Sequence, residues 1–230
     1  MRAKQIIHRD EYIYQRVFDA ILEQRLAPGT RLNEEEMAQI FSVSRTVIRK
    51  ALVRLAHDGV LVSRKNKGTT VTSVTPQEAR SIFEARKVTE AAIIGLACGK
   101  ATDQDLCDLT DLIEQELAAQ AAGDNGKALR LSGEFHFKIA DIAGNAHLRR
   151  FVRNLISRVS LIVAQFESPG QPLCKLQNEH KMLVAALKDR DKQRAESLML
   201  QHVQHIEDKI NFNEVPVGAS LRAVFDVVNH

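Results

Sequence analysis

No apolar stretch in the chain approaches the roughly 18 residues that a membrane-crossing helix needs. The first residues, MRAKQIIHRDEYIYQ, lack the apolar centre of a secretory signal. Cysteine is scarce. Cys98, Cys107 and Cys174 are unevenly spaced and form no CxxC pair, which argues against a disulfide framework or a thiolate zinc site and fits a reducing compartment. Internal repeats and low-complexity tracts are missing as well. Together these absences predict a cytoplasmic protein with no membrane partner. Neither sign of charge dominates: the net charge is +3 over 230 residues, but residues 1–75 hold 13 Lys and Arg against 8 Asp and Glu (+5), and residues 76–230 hold 19 against 21 (−2). A basic first segment on a mildly acidic second one suits phosphate binding at one end only.

What is present is concentrated in residues 30–71. Asn33 is placed to cap a helix opening with Glu34, Glu35 and Glu36, acids suited to a positive helix end. Ser42-Val43-Ser44 is a tight connection, and Ser44 is placed to cap a second helix. Val47, Ile48, Ala51, Leu52 and Leu55 fall on one face of that helix at 3.6 periodicity, with Arg45, Thr46, Arg49 and Lys50 turned away from it. Asp58-Gly59 ends it. Two β-branched runs, 60–63 and 69–72, flank Arg64-Lys65-Asn66-Lys67-Gly68 as a basic hairpin. Helix, turn, helix and basic hairpin make a winged helix-turn-helix. Arg45 and Arg49 lie in the first turns of the second helix, four apart, and each can offer a planar fork to guanine O6 and N7. No acid occurs between 42 and 57 to engage them along the chain.

This segment resembles the DNA-binding domain of the GntR family of bacterial transcription regulators. The resemblance rests on Pro28-Gly29-x-Arg31-Leu32, Ala38, Val43-Ser44-Arg45-Thr46, Arg49-x-Ala51-Leu52, Leu55, Asp58-Gly59 and Lys67-Gly68. It implies double-stranded operator DNA as partner, contacted by Arg31, Ser44, Arg45, Thr46, Arg49, Lys67 and Gly68. It also implies a homodimer on a palindromic site, since one reading helix spans only a few base pairs. Val47 and Lys50 depart from the family, which often has proline and glutamate there.

A helix over 10–25 precedes this unit. Thr75-Pro76-Gln77-Glu78 carries the signature of a capping box with proline in the first turn, which places a domain boundary between 75 and 76. Beyond it, strand-like alternation is absent. Helices are expected over 76–99, 103–122, 125–143, 146–167, 173–189 and 191–212, with 214–230 forming a last turn, an interface arm or a frayed end. The fold class is therefore mostly α: a winged helix-turn-helix over residues 1–75, then an all-α bundle of six or seven helices over 76–230.

Three histidines lie on apolar stripes of three expected helices: His136 with Leu129, Ile139 and Ala140; His180 with Leu183, Val184 and Leu187; His202 with Leu198, Met199 and Ile206. A lone histidine on such a stripe is ordinarily a hydrogen-bonded core residue. Three in one bundle suit a metal site, because imidazole is a common ligand and facing helices build such sites. Arg86 and Glu90 share a stripe with Ile82, Phe83 and Ile93, either as an internal i,i+4 pair or with Arg86 as a clamp for a carboxylate.

This second part resembles the FCD ligand-binding domain of FadR-type regulators, through Arg86-x-x-x-Glu90, Phe135-His136, Ala143-Gly144-Asn145, Glu179-His180 and His202. The resemblance implies a divalent metal held by His136, His180 and His202 and by an aspartate four residues before the first. It also implies Arg86 as a ligand for a small organic-acid effector. Position 132 is Ser132, not aspartate, and Glu134 falls on the opposite helix face from His136. Three imidazoles without a hard carboxylate favour zinc, then nickel, over magnesium, calcium or manganese. His205 is expected at the stripe's edge. The reading is a regulator, most simply a repressor, and not an enzyme. The alternatives are a metal-dependent enzyme with a three-histidine centre, or an architectural DNA-binding protein whose histidines only fill core.

Overall fold

The structure, a computed structural model, describes residues 9–64, 68–166 and 177–212. Lys65, Asn66, Lys67, Cys174, the start of the expected 173–189 helix and the 214–230 tail lie outside the described residues. Helix α1 (Arg9–Leu22) leads to a two-residue strand β1 (Arg31–Leu32), then α2 (Glu34–Ile40), α3 (Arg45–His57) and a hairpin of β2 (Leu61–Arg64) and β3 (Gly68–Val71). The strands form one antiparallel sheet in the order β1-β3-β2, with Arg31 opposite Thr70 and Leu61 opposite Val71. Strand β1 was not anticipated, because two residues carry no alternation to read.

Local chemistry sets these boundaries. The Asn33 side chain accepts from the Glu35 and Glu36 amides at 2.8 and 3.3 Å. Ser42 takes a left-handed conformation at φ 51°, turning α2 into α3. Ser44 occupies the cap position in extended backbone but makes no side-chain capping hydrogen bond, contrary to expectation. Helix α1 stops at Leu22, short of the expected Arg25. Gln24 reverses the chain at φ 60°, and the Leu26 amide returns to the Ala20 carbonyl at 2.9 Å. That reversal buries Leu26 in a core built from Val17, Phe18 and Ile21 of α1, Met37 of α2, Ile48 and Leu55 of α3, and Leu61 and Val71 of the wing. Each large apolar side chain here contributes roughly 1.5–3 kcal/mol, as an upper bound.

The second part is all-helical: α4 (Pro76–Cys98), α5 (Asp103–Ala121), α6 (Asn125–Ala143), α7 (Ala146–Phe166), α8 (Gln177–Lys188) and α9 (Lys192–Asp208). Reciprocal capping boxes, Thr75 with Glu78 and Thr102 with Asp105, start α4 and α5, and Gly144 in the left-handed region ends α6. Helix α4 is central and packs against α6, α7 and α9, while α5 packs on α6 and α8. No described helix is long and apolar enough to cross a membrane.

The two parts are fastened along α7. Leu161 of α7 is fully buried in the first core, not the second. Gln165 accepts from the Val74 amide at 3.1 Å and donates to the Val74 carbonyl at 2.7 Å, tying the connecting segment to the same helix. Arg153 donates to the Tyr14 hydroxyl at 3.0 Å, and that hydroxyl in turn donates to Asp58 at the end of α3. Burial, then the Asp58 hydrogen bond, push the Tyr14 hydroxyl up to about 12, so it stays a donor.

Candidate functional site

Helices α6, α8 and α9 bring His136, His180 and His202 together, all buried. One nitrogen from each ring can be chosen so that the three lie within 4.8 Å of one another. Phe135 stacks on the His180 ring at 4.2 Å between centroids and fixes its plane. Each Nδ1 faces a glutamate: His136 to Glu90 at 2.5 Å, His180 to Glu116 at 2.9 Å and His202 to Glu179 at 2.8 Å. An ionised carboxylate only accepts, so at His180 and His202, where the contact is a hydrogen bond, Nδ1 carries the proton and Nε2 presents a lone pair; at His136 the short contact to Glu90 lacks hydrogen-bond geometry. The Nε2 atoms of His136 and His202 are 3.2 Å apart, and His180 Nε2 is buried with no hydrogen-bond partner among the described residues. Either one Nε2 carries a proton and donates to the other, or two lone pairs at that distance repel unless a cation stands between them.

A proton is poorly suited to be that cation. Burial, with Glu179 opposing and the neighbouring imidazoles adding, drives His202 down to about 3. Burial likewise lowers His136 despite Glu90. The donor set fits a metal ion instead: three neutral imidazoles, each oriented by a carboxylate behind it. Around zinc, with bonds of about 2.0–2.1 Å, tetrahedral nitrogens sit roughly 3.3 Å apart, close to the His136–His202 separation.

Beside the imidazoles lies a cavity of about 50 Å³, lined by Arg86, Ser132, Ser160 and a wall that includes Leu129, Val159 and Val163. It has room for a few waters or a small ligand. Arg86 is 2% exposed; its Nε donates to Glu90 Oε1 at 2.5 Å, and its buried Nη1 has no hydrogen-bond partner among the described residues. The pair with Glu90 and an unengaged Nη1 therefore coexist in a side chain that lines the cavity. Burial would raise Glu90, but the Arg86 guanidinium beside it, with the contact to the His136 ring, outweighs burial and holds it far below the usual carboxylate range. Ser132 lines the cavity, whereas Glu134 pairs with Arg130 and stays away from the imidazoles. His205, 51% exposed, shares Glu179 with His202 at 2.6 Å.

Two of the glutamates carried no role in the sequence reading, and Glu90 entered it only as a partner for Arg86. Glu116 was missed altogether, although it continues the buried Leu109-Ile113 stripe of α5 and an acid on such a stripe needs a partner. Glu179 was visible only as the neighbour of His180.

These shifts give a direct expectation for pH. His202 and Glu90 are both depressed in the folded state, so the unfolded chain binds more protons as pH falls. Their contribution is complete above pH 6.5. It is lost first through His202 between 6.5 and about 3, then through Glu90 below 4.5. Chelator-treated protein should melt several degrees lower at pH 5 than at pH 7.5; equal melting temperatures would contradict buried neutral imidazoles.

On the first part, Arg45, Thr46, Arg49 and Ser44 are exposed on one side of α3. Arg31 lies against the wing, where a Cβ on Gly68 (φ +81°) would meet its Nε at 3.5 Å. Lys67 lies outside the described residues. The arginines are not clear of acids, as the sequence had suggested: Glu34 reaches across from α2 and pairs with both.

Residues 9–71 match the model of the bacterial regulatory proteins of the gntR family, and residues 81–205 match that of the FCD domain. The Nta operon transcriptional regulator of Aminobacter aminovorans is 32% identical over 184 residues, 80% of this chain and 85% of its own. The HTH-type transcriptional repressor RspR of Escherichia coli K12 is 26% identical over 87% of this chain and 88% of its own. The solved structure of E. coli McbR/YncC has the same fold, with a TM-score of 0.79 over 88% of this chain and 97% of its own at 23% identity. The chain belongs to the gntR family of bacterial regulatory proteins and is a transcriptional regulator that joins a DNA-binding winged helix-turn-helix to an FCD domain.

Proposed function

We propose that the chain is a cytoplasmic, homodimeric repressor. Its residues 1–75 bind a palindromic operator, and its residues 76–230 sense a small organic acid at a zinc centre, nickel being the second choice. The observation that carries the sensing half is the convergence of three buried imidazoles beside a cavity that Arg86, whose Nη1 has no hydrogen-bond partner among the described residues, helps to line. The name of the RspR relative supports repression. His136, His180 and His202 would hold the ion, which supplies positive charge for an acid's carboxylate. Arg86 Nη1 donates to that carboxylate, and the apolar wall selects a small aliphatic remainder. Ser132 lies where a water can be held and is not itself a strong ligand.

Occupation of the cavity would be felt at the DNA through α7. Ile156, Val159, Ser160 and Val163 line the cavity, while Arg153 of the same helix is tied to the end of α3 through Tyr14 and Asp58. The connection over 72–76, beside the expected domain boundary, is pinned to this helix by Gln165. Coupling of this kind is typically about 1–3 kcal/mol.

A hydrolytic enzyme is the weaker reading. Glu90, Glu116 and Glu179 are each engaged by an imidazole, which leaves none of these carboxylates to serve as a general base. A purely architectural protein would not need the converging imidazoles. The test is binding, at matched salt, to duplexes selected in vitro from random sequence. Arg45→Ala should cost about 1–3 kcal/mol and relax preference at one base pair. Arg31→Ala and Lys67→Ala should instead weaken binding to all sequences and flatten the salt dependence. Wild-type affinity and preference in Arg45→Ala would refute the assignment of the reading helix, and a monomeric mass on DNA would refute the dimer.

A further inference from the structure

Glu34 engages Arg49 through one edge of the guanidinium only. Arg49 Nε donates to Oε1 at 3.1 Å and Nη2 to Oε2 at 2.7 Å. A guanidinium has five N–H groups, and this side-on contact uses two. The end edge remains, with one outward N–H on each of Nη1 and Nη2, and that edge can still meet guanine O6 and N7 as a parallel pair. The same carboxylate lies 3.7 Å from Arg45 Nη2. Glu34 sits in the first turn of α2, which Asn33 caps, and the α2–α3 packing fixes its backbone relative to the reading helix. Both guanidinium side chains remain 60% exposed, so the clamp leaves them open to DNA. The Arg49 hydrogen bond, outweighing the opposing effect of burial, holds the Glu34 carboxyl below its ordinary range and keeps it ionised.

We infer that Glu34 is a positioning and specificity-determining residue for DNA reading: it grips Arg49 side-on so that the end edge is presented to a guanine, and its charge discourages both arginines from settling on phosphates. This rests on α3 being the reading helix. The two effects act in opposite directions on affinity. A carboxylate near the DNA weakens binding to any duplex, while a pre-oriented fork favours one base pair over the others. A plain surface ion pair would do neither at a particular base pair.

The experiment uses the full chain. Wild type, Glu34→Gln, Glu34→Asp and Arg49→Ala are compared on a duplex selected in vitro by wild type, on its single-base variants at every position, and on a scrambled duplex of equal length, all at matched salt. Glu34→Gln should bind the scrambled duplex roughly 3- to 10-fold more tightly, and its preference at one base pair should fall roughly 10-fold, with other positions unchanged. Glu34→Asp keeps the charge but falls short of Arg49. It should relax the same base pair without tightening scrambled binding, and it carries the test if Glu34→Gln does not fold. Equal tightening on every duplex, or unaltered preference at every position, overturns the inference. If Arg49→Ala also leaves every preference intact, the failure lies in the reading-helix assignment; if Arg49→Ala relaxes one base pair and the Glu34 variants do not, it lies with Glu34 alone.

Discussion

Zinc added in excess, at a free concentration about a thousand times its dissociation constant, is expected to raise the melting temperature of chelator-stripped protein by roughly 10 °C. A ligand that binds only the folded state stabilises it by about 4 kcal/mol at a thousand times its dissociation constant, and for a chain of this size each kcal/mol moves the midpoint by about 2–4 °C. The shift should vanish in His136→Ala, His180→Ala and His202→Ala. Glu116→Gln should retain the shift but need roughly 10- to 100-fold more zinc, because it loosens a ring without removing a ligand. Ser132→Asp should add binding of manganese or magnesium, restoring the hard oxygen that this sequence lacks. Scanning calorimetry with elemental analysis of untagged protein decides the matter. No stoichiometric metal, and no shift with either zinc or nickel, would return the three histidines to the core.

Arg86→Ala is expected to destabilise the protein by about 3–5 kcal/mol, the usual consequence of removing one partner of a buried ion pair. Glu90 is 2% exposed and ionised, and Arg86 is the positive charge on which it depends. The damage should spread to His136, whose ring Glu90 contacts. The substitution is therefore a poor probe of effector binding, because loss of response would be indistinguishable from loss of the site. Arg86→Lys keeps the charge while removing the fork, and should cost less stability while still weakening recognition of a carboxylate. Urea unfolding of both variants at pH 7.5 tests the difference. An Arg86→Ala protein within about 1 kcal/mol of wild type would show that Glu90 is satisfied by other groups.

The winged helix-turn-helix was legible because its signals are local. Asn33, the Ser42–Ser44 turn and Asp58-Gly59 each act within a few residues, and the apolar stripe of α3 needs no partner to be recognised. The helical bundle was legible from the lack of strand-like alternation and from the Thr75 capping box, and α6 begins and ends where expected. The imidazole cluster could be anticipated from three stripes, but not the contacts behind its rings, since these come from glutamates 46, 64 and 23 residues away from their histidines. The Glu34 clamp escaped for the same reason. It reaches across a turn, and inspection of residues 42–57 alone could not include it.

Leu161 has a consequence for how such proteins can be recombined. It belongs by sequence to the sensor and by packing to the DNA-binding module, and two residues of the same helix, Asn154 and Arg158, rest on the turn at Gly59, where a Cβ would lie 2.6 Å from each. A chimera made by joining residues 1–75 to the sensor of another regulator would inherit a hole where Leu161 stood and a turn shaped to a helix no longer present. The transferable unit is the reading head together with the inward-facing surface of α7. Sensors can be exchanged beneath this head only if they bring a leucine, and a flat pair of polar side chains, to the same two places.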